Sequence, residues 1–314
     1  MNPGNFNAPT PLLEGGSIGL FAPSGAVNLP RMQAAVAALT ARGFRVVVAP
    51  ETENQWRYFA GTDEVRAASF HAMLADASID AMMMVRGGYG FSRLLHRIDW
   101  HAVAASEKAF VGFSDFTAFN LAALAQANLI TFAGPGAAID FGDAQMLAQT
   151  QADHAFMEAH CWPVLAGQAV SAGPFTDSFT YRPRTINGTL WGSNLSLLTH
   201  LIGTPYLPDI DGGILFIEEI GEAPYAVERM LLQLYHAGIL QKQKALILGD
   251  FSDCNPEPDR FPYAMEHVVE TMRELLPIPV LTGLPFGHVA RKLTLPVGAL
   301  ATLNIVPGAF TLSY

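Results

Sequence analysis

Over residues 17–133 short apolar runs alternate with stretches whose hydrophobic residues recur at helical spacing. That alternation narrows the possible folds more than any other feature of the chain. Ser17–Ala22 (SIGLFA) is stopped by Pro23-Ser24-Gly25. Pro30 to Arg42 then carries Met32, Val36 and Leu39 on one helical face, with Pro30 suited to a first turn and Gly43 to a helix end. Phe44–Ala49 (FRVVVA) ends at Pro50, and Thr62 can cap a helix that opens with Asp63 and Glu64. Ala81–Val85 (AMMMV) runs into Arg86-Gly87-Gly88-Tyr89-Gly90, and a helix with Leu94 and Leu95 is expected next. Ala109–Phe113 (AFVGF) runs into Ser114-Asp115, followed by a helix from Phe116 to about Ala127. Leu129–Ala133 (LITFA) ends at Gly134-Pro135-Gly136. Five β segments separated by helices imply a parallel sheet with helices on both faces, and ligand sites in such sheets lie beyond the carboxyl ends of the strands.

The pattern weakens after Gly142, where small and polar residues predict a helix and a connecting segment, and it then restarts. Gly192–Gly203 reads as a helix after a glycine turn. Ile214–Ile217 (ILFI) is a strand ending at Glu218-Glu219, Pro224–Leu240 is a helix, Ala245–Leu248 is a strand and Tyr263–Leu276 is a helix. Leu300–Val306 and Phe310–Ser313 around Pro307-Gly308 read as a hairpin. The expected division is residues 1–140, a connector over 141–183, and residues 184–314, in keeping with a length of 314 residues.

Lys and Arg number 18 against 28 Asp and Glu, a net charge of −10. A nucleic-acid binder needs a basic face, and an anionic membrane surface attracts cations, so neither partner is expected. No apolar run approaches the roughly 20 residues of a membrane span, and Met1–Gly16 lacks the basic and apolar regions of a signal peptide. Cys161 and Cys254 form neither a disulfide framework nor a metal-ligand spacing, which predicts a reduced, cytoplasmic setting. No histidine pair has zinc spacing, and no glycine fingerprint for a flavin or nucleotide is present.

Four places carry chemistry. Ser114 stands on a sharp strand-to-helix turn, where a hydroxyl projects above the sheet beside free helical N–H groups; it or Asp115 could equally cap the helix. Arg86–Gly90 follows a buried strand, and its glycines let backbone approach a ligand, as an oxyanion loop or as a simple tight turn. Arg86 itself could hold a carboxylate. Glu218 and Glu219 end an apolar strand, so alternation should send one into a crevice and the other away. His288 follows Pro285-Phe286-Gly287 in a rigid loop. The order Ser114, Glu218, His288 is that of a nucleophile, an orienting acid and a base.

The chain resembles the LD-carboxypeptidase family of serine peptidases, of the muramoyltetrapeptide carboxypeptidase type. The resemblance covers nearly the whole chain. It rests on APSG (Ala22–Gly25), RGGYG (Arg86–Gly90), VGFSDFT (Val111–Thr117), NGTLWGSNLSLLTHLIGTPY (Asn187–Tyr206), ILFIEEIGEAPYAVERMLLQL (Ile214–Leu234) and GLPFGHVARKLTLPVG (Gly283–Gly298), in that order. It implies Ser114 as nucleophile, His288 as base and Glu218 as the acid that orients it. It also implies the backbone N–H groups of Gly88 and Asp115 as an oxyanion hole. On chemistry, Arg86 is the candidate to bind the substrate's free carboxylate, since a guanidinium binds a carboxylate in a bidentate way, and Tyr89 is expected beside it as a substrate-binding residue. The implied fold is an N-terminal flavodoxin-like domain and a C-terminal β-rich α/β domain, with the site at their interface. Members are usually cytoplasmic homodimers, need no metal or other cofactor, and release the terminal D-alanine of a recycled murein tetrapeptide. A peptidase of the microcin C immunity type, which stacks a nucleobase on an aromatic pair on a loop, is the alternative within the family; Trp162 and Trp191 flank the relevant region here, though tryptophans are more often core or interface residues. A non-catalytic peptide-binding protein is the alternative outside it. Two positions depart from the common family pattern: Ala133-Gly134-Pro135 where a His-Gly-Pro stretch is usual, and Gly192-Ser193-Asn194-Leu195 where Gly-Gly-Asn-Leu is usual. Both bear on fine specificity.

Overall fold

A computed structural model describes residues 6–143, 150–256 and 262–314. The start of the N-terminal stretch read above, and part of the expected connector, lie outside the described residues. Among those described, the strands form two sheets.

The first sheet runs β11-β5-β4-β3-β1-β2. Its strands are β1 (Ser17–Phe21), β2 (Arg45–Val48), β3 (Ala81–Met84), β4 (Ala109–Gly112), β5 (Thr131–Ala133) and β11 (Leu295–Val297). The order 2-1-3-4-5 is that of flavodoxin-like folds. β1, β3 and β4 are buried along their whole length, as a sheet covered on both faces requires. The helices start where local chemistry dictates. Asn28 accepts from Arg31 N at the head of α1 (Leu29–Ala41), and Thr62 accepts from Val65 N at the head of α2 (Asp63–Ala75). The helix expected around Leu94 and Leu95 is instead a pair of 3₁₀ turns, Phe91–Arg93 and Leu95–Arg97.

The second sheet runs β10-β9-β8-β7-β12-β13-β6, with β10 the two-residue edge strand Val280–Leu281. Its central strands β7 (Arg184–Asn194), β8 (Ile214–Ile220) and β9 (Ala245–Ser252) are parallel. The expected hairpin is present as β12 (Leu300–Val306) and β13 (Ala309–Ser313), whose alternating burial marks a sheet with one solvated face. The helix read over Gly192–Gly203 is shorter than expected: Gly192 and Ser193 end β7, and the helix covers Leu195–His200. Within the stretch read as a connector, Gln151–Leu165 is helical and β6 (Ser171–Thr176) pairs with β13.

The first sheet is not purely parallel. β11, which follows the His288 loop, adds antiparallel to the edge of β5, pairing Leu295 with Ala133 and Val297 with Thr131. One buried cluster spans both halves, from Phe110 and Phe119 to Phe216 and Leu303. Chain order reverses between β1 and β3, so the loops after those strands open a crevice facing the carboxyl ends of β7, β8 and β9.

Candidate active site

β4 delivers Ser114 at a turn where its φ is +60°. That left-handed conformation costs a non-glycine residue about 1–2 kcal/mol, and such strain gathers at functional turns. The side chain makes no helix cap. Its Oγ lies 3.0 Å from Nε2 of His288, whose Nδ1 lies 2.7 Å from Oε2 of Glu218. With the histidine proton on Nδ1, the imidazole donates to Glu218 and Nε2 accepts from Ser114. Glu218 is completely buried and His288 mostly so. The three residues, each read from sequence as chemistry-bearing, therefore meet as one hydrogen-bonded line across the two halves. The Phe113 ring, 5.0 Å from the imidazole, packs against it.

Gly87 and Gly88 run beside this line. A Cβ placed on Gly87 would come within 3.0 Å of Ser114 Cβ and 3.1 Å of its Oγ, closer than side chains ordinarily pack, so glycine eases this approach. Gly88 has φ +99°, and the 3₁₀ turn that starts at Ser114 places Asp115 N at its head. Arg86 donates to the Ala26 carbonyl at 3.0 Å. Tyr89 is 51% exposed, its ring 5.9 Å from Phe59.

The loops are held by buried polar side chains whose long-range bonds the sequence reading did not anticipate. The Asp115 carboxylate accepts from Ser24 Oγ at 2.5 Å and from Phe91 N at 2.7 Å, tying the loops after β1 and β3 to the Ser114 turn. Burial pushes its carboxyl above the ordinary aspartate range, against the pull of the Ser24 bond. Arg66, fully buried on α2, donates to the carbonyls of Pro23, Gly61 and Gly90 and pairs with Asp63. Asn194, at the end of β7, donates through one amide nitrogen to Glu218 at 3.1 Å and Glu219 at 3.0 Å, while its own N–H donates to Thr117 Oγ1 at 3.1 Å. Its Oδ1 caps the following helix.

The two glutamates do not simply diverge. A register shift between Ile217 and Glu219 interrupts the alternation, and both carboxylates reach Asn194. Glu219 then turns to the helix N-terminus, accepting from Ser196 N at 2.7 Å. Lys292, four residues beyond His288, forms a buried ion pair with Asp140 at 2.9 Å and lies 3.8 Å from the Phe113 ring.

The tryptophans sit elsewhere. Trp191 is buried within β7 and donates to Gln243 at 2.8 Å; Trp162 packs on Phe44 and Phe141. Neither forms an aromatic pair at the crevice. Both cysteines are unpaired and buried, and burial pushes the Cys161 thiol up to about 12. Among the described residues no three His, Cys, Asp or Glu side chains converge as metal ligands, and no helix is long and apolar enough to cross a membrane.

Comparison with known proteins follows the same two halves. The profile of the LD-carboxypeptidase N-terminal domain matches residues 18–134, and that of the LD-carboxypeptidase C-terminal domain matches residues 187–303. A probable murein peptide carboxypeptidase of Bacillus subtilis is 32% identical over 94% of this chain and 91% of its own length. The crystal structure of muramoyltetrapeptide carboxypeptidase from Oxalobacter formigenes superposes with a TM-score of 0.84 at 40% identity, covering 95% of this chain and 98% of that one. The microcin C7 self-immunity protein MccF of Escherichia coli is 28% identical over 94% of this chain and 92% of its own. With both domain profiles matched in order around the Ser114–His288–Glu218 line, the chain belongs to the LD-carboxypeptidase family.

Proposed function

We propose that this protein is a serine carboxypeptidase that hydrolyses the amide bond before the terminal D-alanine of a murein tetrapeptide, in peptidoglycan recycling. The observation that carries the reading is the hydrogen-bonded line from Ser114 through His288 to Glu218, at 3.0 and 2.7 Å. Residues 1–140 supply the nucleophile in this reading, and residues 184–314 the acid and base. His288 takes the Ser114 proton as Oγ attacks the carbonyl carbon. Gly88 N–H and Asp115 N–H hold the developing oxyanion. His288 then gives the proton to the leaving amine, and water, deprotonated by the same imidazole, releases the acyl group and restores Ser114. Glu218 holds the imidazole in the required tautomer and stabilises its charged form. Arg86 meets the free carboxylate of the leaving residue, and Tyr89 stands at the rim. The two unpaired cysteines support a cytoplasmic setting, and the family resemblance supports a homodimer, which sedimentation analysis tests.

The murein relatives support this substrate, and neither Trp191, buried in β7, nor Trp162, packed against Phe44, stands at the crevice to stack a nucleobase. Purified protein is expected to release D-alanine from a murein tetrapeptide and to be labelled at Ser114 by a fluorophosphonate. Ser114→Ala and His288→Ala are each expected to abolish release. Full retention by either variant would sink the mechanism, and absence of labelling would favour a binding protein.

A further inference from the structure

A carboxypeptidase must distinguish a terminal residue from an internal one, and Arg86 alone is a single cation. The geometry points to a second group. Arg86 makes its hydrogen bond to the Ala26 carbonyl and, among the described residues, has no ion-pair partner. Its guanidinium carbon lies 5.9 Å from the centre of the Tyr58 ring. Two glycines make room for this pair. A Cβ on Gly25 would sit 3.2 Å from both Arg86 Cζ and Tyr58 Cε1. A Cβ on Gly88 would sit 2.0 Å from Tyr58 Oη and 3.4 Å from Arg86 Nη2. The phenol hydroxyl and a guanidinium nitrogen thus converge on one side of Gly88, while the neighbouring Gly87 faces Ser114 Oγ.

The spacing suits the chemistry. In a terminal residue the carboxylate carbon is three bonds from the carbon under attack, each about 1.3–1.5 Å long. A nucleophile and a carboxylate receptor must therefore sit one residue step apart, as Gly87 and Gly88 set them. Tyr58 comes from the turn between β2 and α2, where Trp56 and Phe59 pair across Arg57, with φ +56°, and Tyr58 itself. The ring is 46% exposed. Tyr89 is engaged differently, with its ring tilted against Phe59 at 5.9 Å.

We propose that Tyr58 is a specificity-determining residue, whose hydroxyl and the Arg86 guanidinium together receive the α-carboxylate of the leaving residue. This rests on the peptidase reading above and adds to it the residue that makes the enzyme act only at a chain end. The test compares kcat/KM on a murein tetrapeptide ending in a free carboxylate with that on the same peptide ending in a carboxamide, for the native protein, Tyr58→Phe and Arg86→Gln. The native protein should prefer the free acid. Tyr58→Phe should cut that preference roughly ten- to hundredfold, the worth of one hydrogen bond to a charged group, and Arg86→Gln at least as much. A loss equal on both peptides, or a preference unchanged in Tyr58→Phe, overturns the assignment. Equal turnover of acid and amide by the native protein overturns it too while leaving the hydrolase reading intact. Native protein that cleaves neither peptide defeats both.

Discussion

Lys292 and Asp140 meet 2.9 Å apart with 1% and 2% of their side chains exposed, one just past His288 and the other in the N-terminal half. A buried charge that loses its partner costs about 3–5 kcal/mol, whereas replacing both charges is far cheaper. Asp140 also accepts from Gly136 N at 2.8 Å, so an asparagine there keeps that bond. Lys292→Met alone should lower the unfolding free energy by about 3 kcal/mol or more. Combining it with Asp140→Asn should recover most of the loss. Urea denaturation of the single and double variants measures both.

Glu218→Gln keeps the shape of the side chain but removes the charge that stabilises protonated His288. Turnover should fall by about four orders of magnitude, the loss seen when a triad acid is made an amide, while folding stays near native. Single-turnover assay of D-alanine release reads this. A fall of less than tenfold would show that His288 is oriented by something else.

Gly87→Ala forces a methyl group to within about 3 Å of the Ser114 side chain. The Ser114 side chain must then yield by a few tenths of an ångström, a fraction of the 1 Å misplacement that can cost about a hundredfold in rate, so roughly a tenfold loss follows. The expected result is a loss of that order in kcat, with KM changed much less. Steady-state kinetics on the tetrapeptide separates the two.

Asn194→Asp sets a third carboxylate against Glu218 and Glu219, which now share one amide donor. Asn194→Ala removes that donor together with the Oδ1 cap of the following helix, and should cost about 2–3 kcal/mol of stability, as for hydrogen bonds to charged groups and a helix cap. The aspartate variant should be the less stable of the two at neutral pH, because it adds a buried like charge. Thermal unfolding at neutral pH tests the order.

The raised carboxyl of Asp115 makes its own contribution to stability depend on pH. The folded protein holds this proton more tightly than the unfolded chain, so the contribution is whole below about pH 3.8, the ordinary aspartate value. It is lost as the pH climbs through the folded-state value. Asp115→Asn removes the titration. Its unfolding free energy relative to the native protein should therefore rise with pH above about 4 and then level off, by at most about 1.4 kcal/mol per pH unit. A difference that falls with pH would mean the carboxyl is lowered instead.

Much of the fold could be read because the parallel strands are buried on both faces, which writes β1, β3 and β4 as uninterrupted apolar runs. The Ser114 turn and the His288 loop announced themselves through local chemistry. β7 did not, because Asn187-Gly188 and Gly192-Ser193 look like turns. In the folded chain Gly192 has φ +128° and lies so near the Phe216 carbonyl that a Cβ would be 1.9 Å from it, so this glycine permits close strand approach. β11 was hidden by its length of three residues and by Pro296. Arg66, Asn194 and Lys292 escaped notice for a common reason. Each is a polar residue whose value depends on partners far along the chain, and no local spacing encodes those meetings.

β11 also constrains how substrate can arrive. The segment bearing His288 is woven into the sheet bearing Ser114, so prising the halves apart would tear a strand pair and bare the edge of β5. Opening the crevice as a clamshell would cost that pairing. In the proposed reading, a peptide enters past the exposed phenols of Tyr58 and Tyr89, free end first, into a site already assembled before it arrives.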